Sequence, residues 1–330
     1  MHRLVTLFKR VAVGAAVLLA FAPFGAHSAG ATGNDTWSVD PGGVGNPGAR
    51  NSFNYTLKAG QTFQDVVSVT NTSDAPLTLN IYPADAYVDP VDGAFGLRLA
   101  TEPNKDAGAW VVLPAKELTI PPSSRSDVPF NITIPPDALP GDHAGGIIAE
   151  AVTPTATTDA TGATVFVKRR VATRVYVRVA GTITPQLQVT HLSVSHHSSL
   201  MPPFGGRGSA TITYEVHNTG NIRIKGTSTV KVTGFFGRTI KTFAVRDLPD
   251  LLPSSSIKVT EKFTGLPPFE LLSAEVSVKG EGVSGHASSD FWAISWLLVF
   301  LVIVVIVAVI VFVRRHRRGN TEQPVPVAST

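Results

Sequence analysis

The chain has 330 residues, no cysteine, a formal charge of +4 and an isoelectric point near 9.4. The absence of cysteine excludes disulfide staples, a lipid-modified cysteine after a leader, thiolate catalysis and zinc–thiolate sites, so stability has to come from apolar cores. The positive charge sits at the two ends, and residues 31–290 carry 21 basic against 23 acidic side chains, which excludes the electrostatic footprint of a nucleic-acid binder.

Residues 1–31 read as a signal peptide. Arg3, Lys9 and Arg10 form a basic region, Val11 to Phe21 an apolar one, and Ala29-Gly30-Ala31 a small-x-small cleavage site, with Ala26-His27-Ser28 as the alternative. The apolar part is too short to span a bilayer comfortably. A cysteine-free exported chain fits a bacterial envelope protein. The Asn-x-Ser/Thr triplets at Asn34, Asn54, Asn71 and Asn131 would matter as glycan acceptors only in a eukaryotic secretory pathway.

From residue 32 to residue 290 apolar side chains recur at every second position between turn residues. Leu77, Leu79 and Ile81 alternate with Thr78, Asn80 and Tyr82. Phe130, Ile132 and Ile134 do the same before a Pro-Pro pair, and Ile212, Tyr214 and Val216 repeat the pattern. This period of two, with Gly and Pro punctuation, predicts many short strands and an all-β fold of two immunoglobulin-like β-sandwich domains, residues 32–180 and 181–290. Asn71-Thr72-Ser73 and Asn218-Thr219-Gly220-Asn221 each close a strand in a similar way, which fits either an internal duplication or two common sandwich turns.

Thr153 to Ala163 lacks apolar residues and predicts the mobile tip of a long hairpin whose second strand runs from Thr164 to Val179. In that strand Lys168, Arg170, Arg174, Tyr176 and Arg178 share one parity while valines hold the other. The row reads either as a solvated sheet face or as a groove for an acidic wall polymer, and it is the candidate binding site. Asp85, Asp89 and Asp92 before Gly93 are spaced too widely for a calcium loop. Asp92-Gly93 reads as a hairpin turn. His196 and His197 are expected in an exposed Ser-rich loop without a third metal ligand. Trp110 reads as a core residue or, less simply, as a sugar-stacking ring. No nucleophile elbow, zinc-protease helix or phosphate-cradling loop is present, so no catalytic residue, metal or cofactor is assigned.

Phe291 to Val313 contains no charge and is followed by Arg314, Arg315, His316, Arg317 and Arg318. A helix of this length rises by roughly 30 Å, the thickness of a bilayer's hydrocarbon core. The arginines mark the cytoplasmic side and Trp292 and Trp296 the outer interface. The expected topology is a single-pass plasma-membrane protein with its N-terminal ectodomain outside and residues 314–330 as a cytoplasmic tail.

Over residues 37–180 the order of several short motifs resembles the WxL-interacting protein family. The motifs are Arg50 to Leu57 with Ala59-Gly60, Asp65 to Asn71, Asp85-Ala86, Gly93, Gly108-Ala109-Trp110-Val111, Pro140 to Gly146 and Thr173-Arg174-Val175. The resemblance implies an anchored bacterial surface protein whose first domain binds peptidoglycan. It also implies a second domain that binds host protein, beside partner surface proteins carrying Trp-x-Leu motifs. The residues alone lead to a non-enzymatic anchored ectodomain, with a pilus-chaperone-like assembly protein and a wall-modifying hydrolase as the alternatives.

Overall fold

The computed structural model describes residues 36–43, 50–197 and 208–319. The expected signal peptide, the Asn34 triplet and the end of the tail lie outside them. Two one-turn or longer helices and twenty strands follow in chain order among the described residues. The first group is β1 (Trp37–Pro41), β2 (Phe53–Leu57), β3 (Thr62–Asn71), β4 (Leu77–Val88), β5 (Phe95–Leu97), α1 (Ala107–Trp110), β6 (Val111–Val112), β7 (Glu117–Ile120), β8 (Ser124–Thr133), β9 (Gly141–Ala151), β10 (Thr155–Thr158), β11 (Thr164–Val167) and β12 (Arg170–Val179). The second is β13 (Leu187–His197), β14 (Gly208–Asn218), β15 (Gly226–Thr233), β16 (Thr239–Thr242), β17 (Arg246–Asp247), β18 (Ser256–Leu266), β19 (Phe269–Gly280), β20 (Val283–Ile294) and α2 (Trp296–Gly319).

The first group forms two facing sheets, β1-β3-β8-β6 and β2-β12-β9-β4-β5, with β7 added to β4. The chain switches sheets between β1, antiparallel to β3, and β2, parallel to β12. Between the sheets lies one core that includes Phe53, Val69, Leu79, Ile81, Phe130, Ile132 and Ile147. The alternation of the sequence explains it directly: Leu77, Leu79 and Ile81 are buried while Thr78, Asn80 and Tyr82 are only partly covered. Each such fully buried aliphatic or aromatic side chain contributes about 1.5–3 kcal/mol.

The second group repeats the arrangement with sheets β13-β14-β18 and β16-β15-β19-β20, β17 pairing with β15. Its core gathers Ile212, Tyr214, Val216, Val232, Val276 and Val278, and it also takes in Val88 and Ala144 from the first group. The chain passes from one core to the other between Val179 and Leu187.

The two asparagine turns use one device. At the end of β3, Asn71 Nδ2 donates to the carbonyls of Ala75, Ile120 and Pro121, at 2.8, 3.0 and 3.0 Å, while Oδ1 accepts the Ser73 N–H at 2.9 Å. At the end of β14, Asn218 Nδ2 donates to Ile222 O and Leu251 O, at 2.7 and 2.9 Å, and Oδ1 accepts the Gly220 N–H at 3.0 Å. Both side chains are buried. Each satisfies carbonyls left over where a strand ends, which is why a buried amide is tolerated there. Asn71 so engaged has no free amide for a glycan.

Three expectations are corrected. His196 and His197 stand at the end of β13, paired with Ala210 and Ser209, because β13 extends along β14 past a bulge at His191. The strand expected from Thr164 to Val179 breaks at Lys168-Arg169 into β11 and β12, and part of the expected tip is itself strand β10. Asp159 orders that tip by accepting the N–H groups of Thr161 and Ala163, each at 2.9 Å. The apolar run that opens at Phe291 begins as strand, because Phe291 and Ala293 fill the second core and β20 continues to Ile294. Only Ser295 separates that strand from α2, and its N–H donates to Pro268 O at 2.7 Å. From Trp296 to Arg317, 22 residues form a helix long and apolar enough to cross a membrane, and none of them is buried in the rest of the protein.

Candidate functional site

The basic row of β12 is where sequence reasoning placed binding, and the structure gives most of its members a partner within the chain. Arg178 lies directly across from Asp142 of β9. Its guanidinium donates to both carboxylate oxygens, Nε to Oδ1 at 2.6 Å and Nη2 to Oδ2 at 2.7 Å. The Arg223 N–H of the second group donates to Oδ2 as well, at 2.8 Å. Burial pushes the Asp142 carboxyl up, but the Arg178 and Arg223 donors outweigh it and hold the group below its usual 3.8. Tyr176 packs against the second core, with the Arg223 guanidinium 3.9 Å from its ring centroid and Phe95 at its edge. Arg174 lies over the Phe95 ring at 4.7 Å. Arg170 donates to Leu97 O and Arg98 O, at 3.1 and 3.3 Å. Lys168 sits off the strand, 3.3 Å from Glu150.

The row is divided along its length between these surroundings. Its Tyr176–Arg178 end is part of the joint between the two groups of strands, while Arg170 and Arg174 stay exposed and lie against β5. Phe95, Asp142 and Arg223, which decide this, lie far away in sequence, and no local pattern marks them. What stays open at the β5 end is a groove of ≈ 290 Å³ lined by Phe95, Ile148, Arg170, Ala172 and Arg174.

The joint is closed by the turn after β14. Asn221 Nδ2 donates to Pro140 O and Thr182 O, at 2.9 and 2.8 Å, its Oδ1 accepts the Thr184 N–H at 2.7 Å, and its carbonyl accepts the Asp142 N–H at 2.7 Å. Gly141 lies at φ +132, and a Cβ there would stand 2.1 Å from Asn221 O. The Lys258 N–H also reaches Pro90 O at 2.8 Å.

A cleft of ≈ 630 Å³ at this joint contains His143, Asp106 and Ser254 to Ser256 in its wall. The set looks like the ingredients of nucleophilic catalysis, but the bonding is wrong for it. His143 Nδ1 meets Asp106 Oδ1 at 2.5 Å and Nε2 meets Leu139 O at 2.9 Å. A carbonyl only accepts, so Nε2 carries a proton, and neither ring nitrogen is left to take one from a serine. Burial lowers the His143 pKa, yet Asp106 and Leu139 O override it and hold the imidazole above 6.5. Trp110 is a core residue with its ring 4.5 Å from His143. The Asp85 carboxylate accepts the N–H groups of Lys105, Asp106 and Gly108 and so positions α1. Asp92 Oδ1 accepts the Ala94 N–H in the hairpin turn, where Gly93 has φ +74. Among the described residues no group of three His, Asp or Glu side chains could hold a metal.

The hairpin of β10 and β11 is a two-stranded sheet of its own. Val165, Phe166 and Val167 of β11 are all exposed. Among the described strands nothing pairs with the outer side of β11, nor with β12 before Val175, where β2 begins. Among the described residues β11 and the Arg170–Arg174 half of β12 thus each present an unpaired edge, in separate sheets, with Lys168-Arg169 between them.

No protein-family model matches the chain, and no curated protein matches it. Several solved structures overlap it loosely. The class 5 fimbriae chaperone CfaA aligns at 13% identity and a TM-score of 0.36, over 78% of this chain and 99% of the other. The E. coli chaperone DraB aligns at 11% and 0.32, over 79% and 98%, and the Pseudomonas aeruginosa CupB2 chaperone at 11% and 0.28, over 74% and 99%. At these scores the overlap carries no argument, and the functional reading rests on this chain's own geometry.

Proposed function

We propose that this is a non-enzymatic, single-pass membrane-anchored surface protein that holds an extended segment of a partner surface protein on the β11–β12 edge. One observation supports the reading above the others: the unpaired edges of β11 and of β12 before Val175, of which β11 exposes Val165, Phe166 and Val167. Soluble proteins ordinarily blunt such edges, and an isolated two-stranded hairpin gains stability from a third strand. Main-chain hydrogen bonds to the edge give affinity, and the exposed apolar side chains give register and selectivity. The bonding of His143 supports the non-enzymatic part. The apolar helix after β20, none of it buried, supports the anchor.

The test is a photo-cross-linker placed at Thr164 in the full chain in its native membrane. It should capture a partner surface protein, and replacing Val165, Phe166 and Val167 with serine should abolish the capture. A yield no higher than from a linker at Glu281, in the turn before β20, overturns the reading. For topology, protease added outside intact cells should remove the sandwiches and leave the arginines after Val313 protected. Protection of the sandwiches would reverse the orientation.

A second reading is peptidoglycan or another anionic wall polymer, as the family resemblance implies, and the Phe95–Arg170–Arg174 groove favours it. An aromatic face beside two guanidinium groups suits a sugar bearing a carboxylate or phosphate. Sedimentation with purified wall should then weaken for Arg170→Ser with Arg174→Ser and be indifferent to the β11 serines. Unchanged sedimentation removes the groove from consideration.

A further inference from the structure

We propose that the end of the second sandwich next to α2 is a bilayer-seated collar, in which Phe235 and Phe236 enter the interfacial layer beside Phe269, Trp292 and Trp296. This rests on the reading of α2 as a membrane span. Register places the elements. Phe269 pairs with Ile294 and Leu271 with Trp292, at the end of β20 that leads into the helix. The tight turn Phe235–Gly237 follows β15, whose Thr233 pairs with Ser273 of β19, so the turn emerges at the same end.

The turn is held there. The buried carboxylate of Glu270 accepts the Phe235 N–H at 2.8 Å and the Arg238 Nη2 at 2.5 Å. Phe236 adopts φ +57, a left-handed conformation that a bulky L-residue rarely takes, and its side chain is fully exposed. Strain in an exposed phenylalanine, kept by a buried acid, is unexplained by packing within the chain. Phe269 and Trp292 are also exposed, with ring centroids 5.7 Å apart, and Trp296 follows at the first turn of α2. Five exposed aromatics gathered at one end form an apolar patch of the kind soluble surfaces avoid. The occupant follows from continuity. Strand and span are joined through Ser295 alone, so this end meets the membrane surface, where aromatic rings are favoured.

The chain lacks cysteine, so single thiols can be introduced cleanly. The test uses the full chain in phosphatidylcholine–phosphatidylglycerol vesicles with a polarity-sensitive probe at one of three positions. Thr239→Cys lies beside the collar and preserves both phenylalanines, Val305→Cys marks mid-helix, and Glu281→Cys marks the turn between β19 and β20 at the other end. Lipids with a shallow quencher should quench the probe at 239 and not at 281, and lipids with a deep quencher should quench it at 305. Adding Phe235→Ser and Phe236→Ser should return the probe at 239 to the behaviour seen at 281. If 305 is quenched while 239 behaves like 281, the anchor stands and the collar is wrong. If 305 is quenched by neither lipid, the span reading falls and the collar with it.

Discussion

At the scale of single residues the buried amides and the joint carboxylate make the sharpest claims. Replacing Asn218 with leucine removes the donor for Ile222 O and Leu251 O and the acceptor for the Gly220 N–H. Orphaned buried groups cost about 1–3 kcal/mol. The variant should therefore unfold at lower denaturant than the parent, and Asn71→Leu should do the same. A loss below the error of the chemical-denaturation curve would mean water replaces the amide. Protonation gives two further signs. The His143 pKa is raised in the folded chain, so its contribution is complete below 6.5 and is lost as pH rises through the folded value. Asp142 is depressed, so its contribution is present above 3.8 and is lost as pH falls through the lower folded value. Unfolding free energy measured against pH should thus lose its fall on the upper side in His143→Gln and part of its fall on the acid side in Asp142→Asn. An unaltered profile in either variant would remove that group from the balance.

At the scale of the element, β12 separates what alternation reveals from what it hides. The valine parity of this strand was legible because burial repeats every two residues, and Val175, Val177 and Val179 are indeed buried. The company kept by the other parity was not, since Phe95 and Arg223 arrive from other elements at separations no local pattern encodes. The same blindness moved the start of α2: the strand end and the helix start are both apolar and uncharged, and periodicity alone cannot divide such a run. The His196-His197 pair was misplaced because strand pairing overrode a Ser-rich composition. The Asp92-Gly93 turn was readable because it depends on near neighbours, whereas the choice between a core and a sugar-stacking Trp110 waited on distant partners such as His143. The consequence for β12 is a graded outcome along one row. Arg178→Ser, which leaves Asp142 without its paired guanidinium, should cost about 1 kcal/mol or more, whereas Arg174→Ser, on the exposed face of Phe95, should stay within about 0.5 kcal/mol. Equal losses for the two in thermal unfolding would mean that the Asp142 pairing adds nothing over a solvated sheet face.

At the scale of the whole molecule the two groups of strands are clasped at one turn and the helix follows the second directly. Asn221 ties the start of β9, the linker after β12 and its own turn together, and Ser295 is the only residue between β20 and α2. A partner held at the β11–β12 edge would then sit at a fixed distance and orientation above the membrane, which a flexible linker could not provide. Gly141 is the point at which this can be broken selectively. With φ +132 and Asn221 O in the place of any Cβ, alanine there costs more than about 1 kcal/mol, and the clash falls on the contact between the sandwiches and on neither core. Spin labels at Thr164→Cys and Glu281→Cys in the full chain should give one narrow distance distribution by pulsed dipolar spectroscopy. Gly141→Ala should broaden it while leaving the strand signature in circular dichroism intact. A distribution already broad in the parent would mean that the sandwiches swing about the Ala180–Gln186 linker despite the Asn221 clasp, and that the edge is presented over a range of heights.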